Sequence, residues 1–219
     1  KGGVVAAIAA AEAMLACPGR PRVNLKFCIE GEEEIGSPNI SVFVRAEAER
    51  LACDLVMSAD GSQWSADQPQ VILGLRGLCA ATLKVWGPDH DLHSGMHGGA
   101  VLNPLEAISR LLASMRHPDG AVAVAGFYDE VAALSARDRE AIARVPVDEQ
   151  AWKAEIGVPA FHGEPDYTPL ERTWIRPTLE INGIWGGHQG PGPKTIIPAE
   201  AFAKLTCRLV ANQDPERIF

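Results

Sequence analysis

The sequence predicts a mixed α/β chain in two parts. An open sheet with helices is expected over residues 1–69, and an α+β layer with a mainly antiparallel sheet over 70–219. Three observations point this way. A strand, loop, helix, strand order runs from Val23 to Ser58, the composition turns polar from Ser62 to Gln70, and strand-like runs separated by long helical insertions follow.

Gly3 to Ala16 is Ala-rich and stops at Cys17-Pro18-Gly19, which predicts a buried helix ended by helix breakers. Val23 to Ile29 is a short β-branched and aromatic run, a strand, and the acidic stretch Glu30 to Pro38 is a loop. Asn39 can cap a helix from Ile40 to about Ala52, and Asp54 to Ser58 is the next strand. A right-handed crossover between parallel strands would bring the acidic loop and Asp60 to one sheet edge, where open α/β sheets bind ligands. Further strands are expected at Gln70 to Gly77, Leu78 to Val85, Thr178 to Trp185 and Ala199 to Val210. Helices are expected at Leu102 to Met115, Ser135 to Arg144 and Asp148 to Ile156.

Composition narrows the function. With 219 residues, 47% hydrophobic and 22% charged, the chain has the make-up of a globular protein able to bury a core. A net charge of −8 with no Lys/Arg cluster argues against nucleic acid as a partner. The longest apolar run, Val4 to Ala11, falls short of the roughly 18 residues a membrane span needs. Five cysteines (Cys17, Cys28, Cys53, Cys79, Cys207) without a CxxC pair read as reduced core residues of a cytoplasmic protein.

Five places could carry chemistry. Glu30-Gly31-Glu32-Glu33-Glu34 sets four carboxylates within five residues, either a solvated acidic loop or a site for a divalent ion with a neighbouring Glu as general base. Asp60, before Gly61, either starts a turn or supplies a further carboxylate. The stretch Asp89 to Gly99 holds His90, His93 and His97, a polar loop or a second zinc site. Gly183 to Thr195 is a poor phosphate loop, because Pro193 interrupts it and Ile196-Ile197-Pro198 follows in place of a helix; an adaptable turn that approaches a ligand fits better. Arg208, among apolar neighbours in a strand, is an edge residue or a carboxylate clamp.

Taken together, the motifs resemble the M20 family of metallopeptidases, most closely its carnosine-dipeptidase-like branch. The matching residues are Glu30-Gly31-Glu32-Glu33-Glu34-Ile35-Gly36-Ser37, Ser58-Ala59-Asp60, Gly74-Leu75-Arg76-Gly77, Asp91-Leu92-His93-Ser94-Gly95, Lys194-Thr195-Ile196-Ile197-Pro198 and Arg208-Leu209-Val210, in the family's order. The resemblance implies part of a zinc-peptidase-type catalytic domain followed by a lid that also dimerises. It implies hydrolysis of the amide bond of dipeptides or N-acyl amino acids by a water activated between two metal ions, usually zinc, with manganese or cobalt as alternatives. Glu33 then matches the general base, Glu34 and Asp60 each match a metal ligand, and a one-residue slip would assign Glu32 and Glu33 instead. His93 matches a lid histidine that stabilises the oxyanion in the partner subunit's site, which replaces the zinc reading of its loop and implies a homodimer. Thr195 and Arg208 match residues that hold the substrate's terminal carboxylate.

The family's H-x-D motif, the bridging Asp of D-x-K-G and a final His are absent. Lys1-Gly2-Gly3 looks like the tail of D-x-K-G. The expectation is therefore an internal fragment, incomplete at the end of its lid and inactive alone. Another reading is a non-catalytic dimerisation or binding module that keeps the lid; a third, an acidic cation-binding protein, leaves His93 and Arg208 unexplained.

Overall fold

The computed structural model describes residues 2–19, 23–61 and 63–219, so Lys1 and the first residue of the expected linker, Ser62, lie outside the described residues. The chain divides between Leu73 and Gly74 into two compact units.

The first unit carries α1 (Gly2–Ala16), a 3₁₀ turn (Glu33–Ile35), α2 (Ile40–Ala46) and α3 (Ala48–Leu51). The α1 helix forms where its alanines predict it, but of the expected buried helix only Ala11 is buried, and Val4, Val5, Ile8, Met14 and Leu15 are exposed. Val23 to Ile29 and Asp54 to Ser58 form no strand, and neither does Gln70 to Arg76 in the stretch expected to run on to Gly77. A parallel ladder is stable when both of its faces are covered, and Leu55, Val56 and Met57 are each more than 80% exposed. The expected crossover is therefore not formed among the described residues. The expected helix beyond Asn39 breaks at Glu47 into α2 and α3, and the Asn39 side chain does not cap it. Its amide instead donates to both Glu32 carboxylate oxygens, at 3.1 and 2.9 Å.

The second unit matches its sequence closely. It contains β1 (Gly77–Trp86), β2 (Leu92–His93), α4 (Ser94–His97), α5 (Pro104–Ser114), α6 (Ala136–Ala143), α7 (Glu149–Ile156), α8 (Pro169–Trp174), β3 (Thr178–Gly186), β4 (Ile196–Ile197), β5 (Glu200–Leu209) and α9 (Pro215–Ile218). The long strands form an antiparallel sheet in the order β1-β5-β3, and β2 pairs separately with β4. Alternation along β5 sets the layers: Ala201, Ala203, Leu205, Cys207 and Leu209 are buried, whereas Lys204 and Arg208 are exposed. Against the buried face packs α5, whose Ile108 and Leu112 recur at helical spacing and whose Asn103 cap accepts from the Leu105 amide at 2.9 Å. The fold is thus mixed α/β with an antiparallel sheet. Among the described residues no helix is long and apolar enough to cross a membrane.

The cysteine expectation needs correcting. Every thiol is free, but Cys17, Cys28 and Cys53 are exposed, Cys79 is half-buried and only Cys207 is buried. Apolar neighbours in sequence do not bury a residue whose segment joins no sheet.

Candidate functional site

Within the acidic loop, the 3₁₀ turn closes as the Ile35 and Ser37 amides donate to the Glu32 carbonyl and the Gly36 amide to that of Glu33. Gly36 takes the left-handed conformation (φ 86°) that ends the turn. Asn39 occupies the Glu32 carboxylate. Glu33 and Glu34 are exposed, and no described side chain binds their carboxylates. This separates Glu32, which is held in place, from the pair that the motif singles out. Asp60 is exposed too, its amide donating to Ser58 Oγ at 3.3 Å. Among the described residues of the first unit no parallel ladder forms to bring Asp60 to the glutamates.

In the second unit the geometry is tighter. Asp91 Oδ1 accepts from the Ala199 amide (2.8 Å), the Ser94 amide donates to the Thr195 carbonyl (3.0 Å), and the short β2–β4 ladder places His93 opposite Ile196. The His93 ring is fixed at both nitrogens. As the cap of α4, its Nδ1 accepts from the Gly95 amide at 3.0 Å, and its Nε2 lies 3.0 Å from Thr195 Oγ1. A backbone N–H can only donate, so Nδ1 must be the unprotonated nitrogen and Nε2 carries the hydrogen. The cap thus sets the tautomer, and the exposed histidine presents an N–H donor beside a hydroxyl. The sequence joins His93 and Thr195 only through their motifs; the fold brings them together across 102 residues.

Arg208 stands elsewhere. It lies on the exposed face of β5, opposite Leu78 of β1 and Thr178 of β3. Thr195 precedes the other end of that strand, and eight residue steps separate Glu200 from Arg208, a run of about 27 Å. Thr195 is thus grouped with His93 near one end of β5, and Arg208 with Leu78 and Thr178 near the other. Sequence reasoning gave no role to Arg76. Its Nη1 is buried and unbonded among the described residues, and burial together with the nearby Arg208 charge holds its pKa below the ordinary arginine value. The Gly74-Leu75-Arg76-Gly77 motif marked the position without revealing its surroundings.

Among the described residues no three His, Cys, Asp or Glu side chains come together as a metal site, so the zinc reading of the His90 to His97 loop has no support. His90 turns to its neighbour Asp89 instead. Glu34 and Asp60 have the donor chemistry a divalent ion accepts, but two carboxylates fall short of the four ligands of a zinc centre. The described residues do not by themselves make up such a centre.

Comparison with known proteins adds to this geometry. The profile described as a peptidase dimerisation domain of the M20 type matches residues 73–219. The Cys-Gly metallodipeptidase of Schizosaccharomyces pombe is 34% identical over 199 residues, covering 90% of this chain and 42% of the relative. The human Beta-Ala-His dipeptidase is 32% identical over 216 residues, covering 98% and 43%. Among solved structures, an M20 family metallo-carboxypeptidase from Sulfolobus solfataricus superposes with a TM-score of 0.75 at 34% identity, covering 87% of this chain and 43% of that one. Human carnosine dipeptidase 1 superposes with a TM-score of 0.74 at 29% identity, covering 99% and 46%. The chain thus spans less than half the length of these relatives.

Proposed function

The chain belongs to the M20 peptidase family, and from that premise we propose that it is part of a metal-dependent hydrolase acting on the amide bond of dipeptides or N-acyl amino acids. The supporting observation is His93, whose ring is locked by the Gly95 amide into the tautomer that donates from Nε2, next to the Thr195 hydroxyl. A positioned N–H donor beside a hydroxyl suits an oxygen that gains negative charge as an amide carbonyl is attacked.

In this reading Glu33 takes the proton of the attacking water and passes it to the leaving amine, while Glu34 and Asp60 are two ligands of the metal. Zinc, two ions per site, is the proposed metal, with manganese or cobalt as alternatives, and the remaining ligands come from outside these 219 residues. Arg208 pairs with the substrate's terminal carboxylate through its planar fork. Thr195 stands with His93 before one end of β5 and Arg208 near its other end, which favours their reaching one substrate from different subunits. A two-fold homodimer follows, in which His93 and Thr195 complete the partner's site and Arg208 serves its own. Residues 1–69 then belong to the catalytic domain and 70–219 to the lid, in a cytoplasmic protein whose thiols stay reduced.

The test is turnover of a dipeptide by the full-length protein. Glu33→Gln should abolish it, and His93→Ala should cost roughly a hundredfold in kcat, as loss of an oxyanion donor does. A near-normal rate for Glu33→Gln contradicts the assignment of the base. The non-catalytic module reading draws on the lack of a three-donor cluster among the described residues, and it predicts no turnover even in the unaltered full-length protein.

A further inference from the structure

The second unit also holds an open cavity of about 340 Å³ between the end of α5, the loop at Gly120, the 162–164 turn, α8 and the start of β3, where its lining residue Thr178 pairs across the sheet with Arg208. A volume of this size falls within the range of small-molecule sites. Its lining holds three arginines, Arg116, Arg172 and Arg176, with His162, Tyr128 and Thr178, against two carboxylates, Glu164 and Glu180.

Both carboxylates are already engaged. Glu164 binds Arg176 through two hydrogen bonds, Nε to Oε2 at 2.5 Å and Nη2 to Oε1 at 3.0 Å, and this pair is largely buried. The Arg176 guanidinium also stacks on Tyr128 and Tyr167, with its carbon 5.0 and 4.3 Å from the ring centres. Glu180 reaches Arg116 at 3.4 Å, and Arg116 in addition donates to the Gly120 and Leu179 carbonyls. Arg172 is left over. Its Nε donates to the Glu164 carbonyl at 2.8 Å, and no described carboxylate lies within ion-pairing distance of its guanidinium.

The backbone is shaped around this cation. Gly120 (φ +92°) and Gly163 (φ +127°) both occupy the left-handed region. A Cβ on Gly120 would sit 3.0 Å from His162 Nε2, and one on Gly163 would sit 3.0 Å from Arg172 Cδ. The two glycines thus let the loop gather an imidazole and an unpaired guanidinium at one wall. Three arginines brought this close repel one another unless an anion offsets them, and only two of the three have a carboxylate.

We propose that this cavity is an oxyanion-binding site, taking a phosphate or carboxylate group of a small molecule against Arg172 and His162. The site stands independently of the peptidase reading.

Calorimetric titration of the full-length protein with inorganic phosphate, and separately with acetate, tests it at constant ionic strength held by chloride. Saturable binding is expected, with Kd raised about tenfold or more in Arg172→Gln, the loss that follows removal of a charge-assisted hydrogen bond. Arg172→Lys should recover part of that loss. The stronger of the two anions identifies the group preferred. Binding that Arg172→Gln leaves unchanged, or heat from neither anion, overturns the proposal. If Arg172→Gln fails to fold, His162→Gln is the equivalent test with the same expected weakening, and unchanged binding in it is equally fatal.

Discussion

The acidic turn and the His93 cap are both short, exposed and rich in chemistry, yet the fold treats them differently. His93 is tied down from two directions, by the Gly95 amide and by Thr195, on a short separate ladder whose strand β4 is followed at once by β5, a strand with a buried inner face. Glu33 and Glu34 sit on a 3₁₀ turn in a unit where Ala11 is the only buried hydrophobic residue described, and no described partner binds their carboxylates. The contrast teaches that a motif's side chains are aimed by the core behind them. Where that core is present, even the cap of a four-residue helix fixes a tautomer.

The comparison can be broken most forcefully at the cores. Ile108→Ala, at a site with 0% exposure, should cost about 2–5 kcal/mol, whereas Leu55→Ala, at 83% exposure, should stay within about 0.5 kcal/mol, both read from denaturant midpoints. Equal losses would show that the first unit is packed as firmly as the second. Next in size is Glu164→Gln, which strands the Arg176 guanidinium in a largely buried pair and should destabilise by about 3 kcal/mol. An unchanged midpoint would mean that the pair contributes nothing.

A further prediction concerns pH. Burial pushes the Tyr128 hydroxyl up to about 12 and the Cys207 thiol up to about 11, from ordinary values of 10.0 and 9.0. The folded state then holds protons that the unfolded chain has released. The stability from each group is fully present below the unfolded value and is lost as pH rises through the folded one, so stability should decline gradually from about pH 9 to 12. Urea midpoints measured across that range should fall, and Cys207→Ala should flatten the lower part of the decline. A flat profile in the unaltered chain would contradict the burial of both groups.

Much of the second unit was legible because its signals are local and agree with one another. Asn103-Pro104 starts α5, Ser135 and Asp148 cap α6 and α7, and alternation along β5 sorts its two faces. In the first unit the same kind of reading misplaced Val23 to Ile29 and Asp54 to Ser58, since a β-branched run becomes a strand only when a neighbour pairs with it. The site followed the same divide. His93 and Thr195 were legible as motifs, but their meeting depends on register across 102 residues, which spacing does not encode. Arg76 and Arg172 were missed because each looks like an ordinary surface arginine until its surroundings are known.

The central claim is that His93 and Thr195 of one subunit complete the site of the other. Its direct test is to mix two inactive full-length variants, Glu33→Gln and His93→Ala, and assay the hybrid dimers. One of the two sites in each hybrid then combines an intact Glu33 with an intact His93, so up to about half the unaltered activity per hybrid should return. If well-formed hybrids stay inactive, His93 does not act across the dimer.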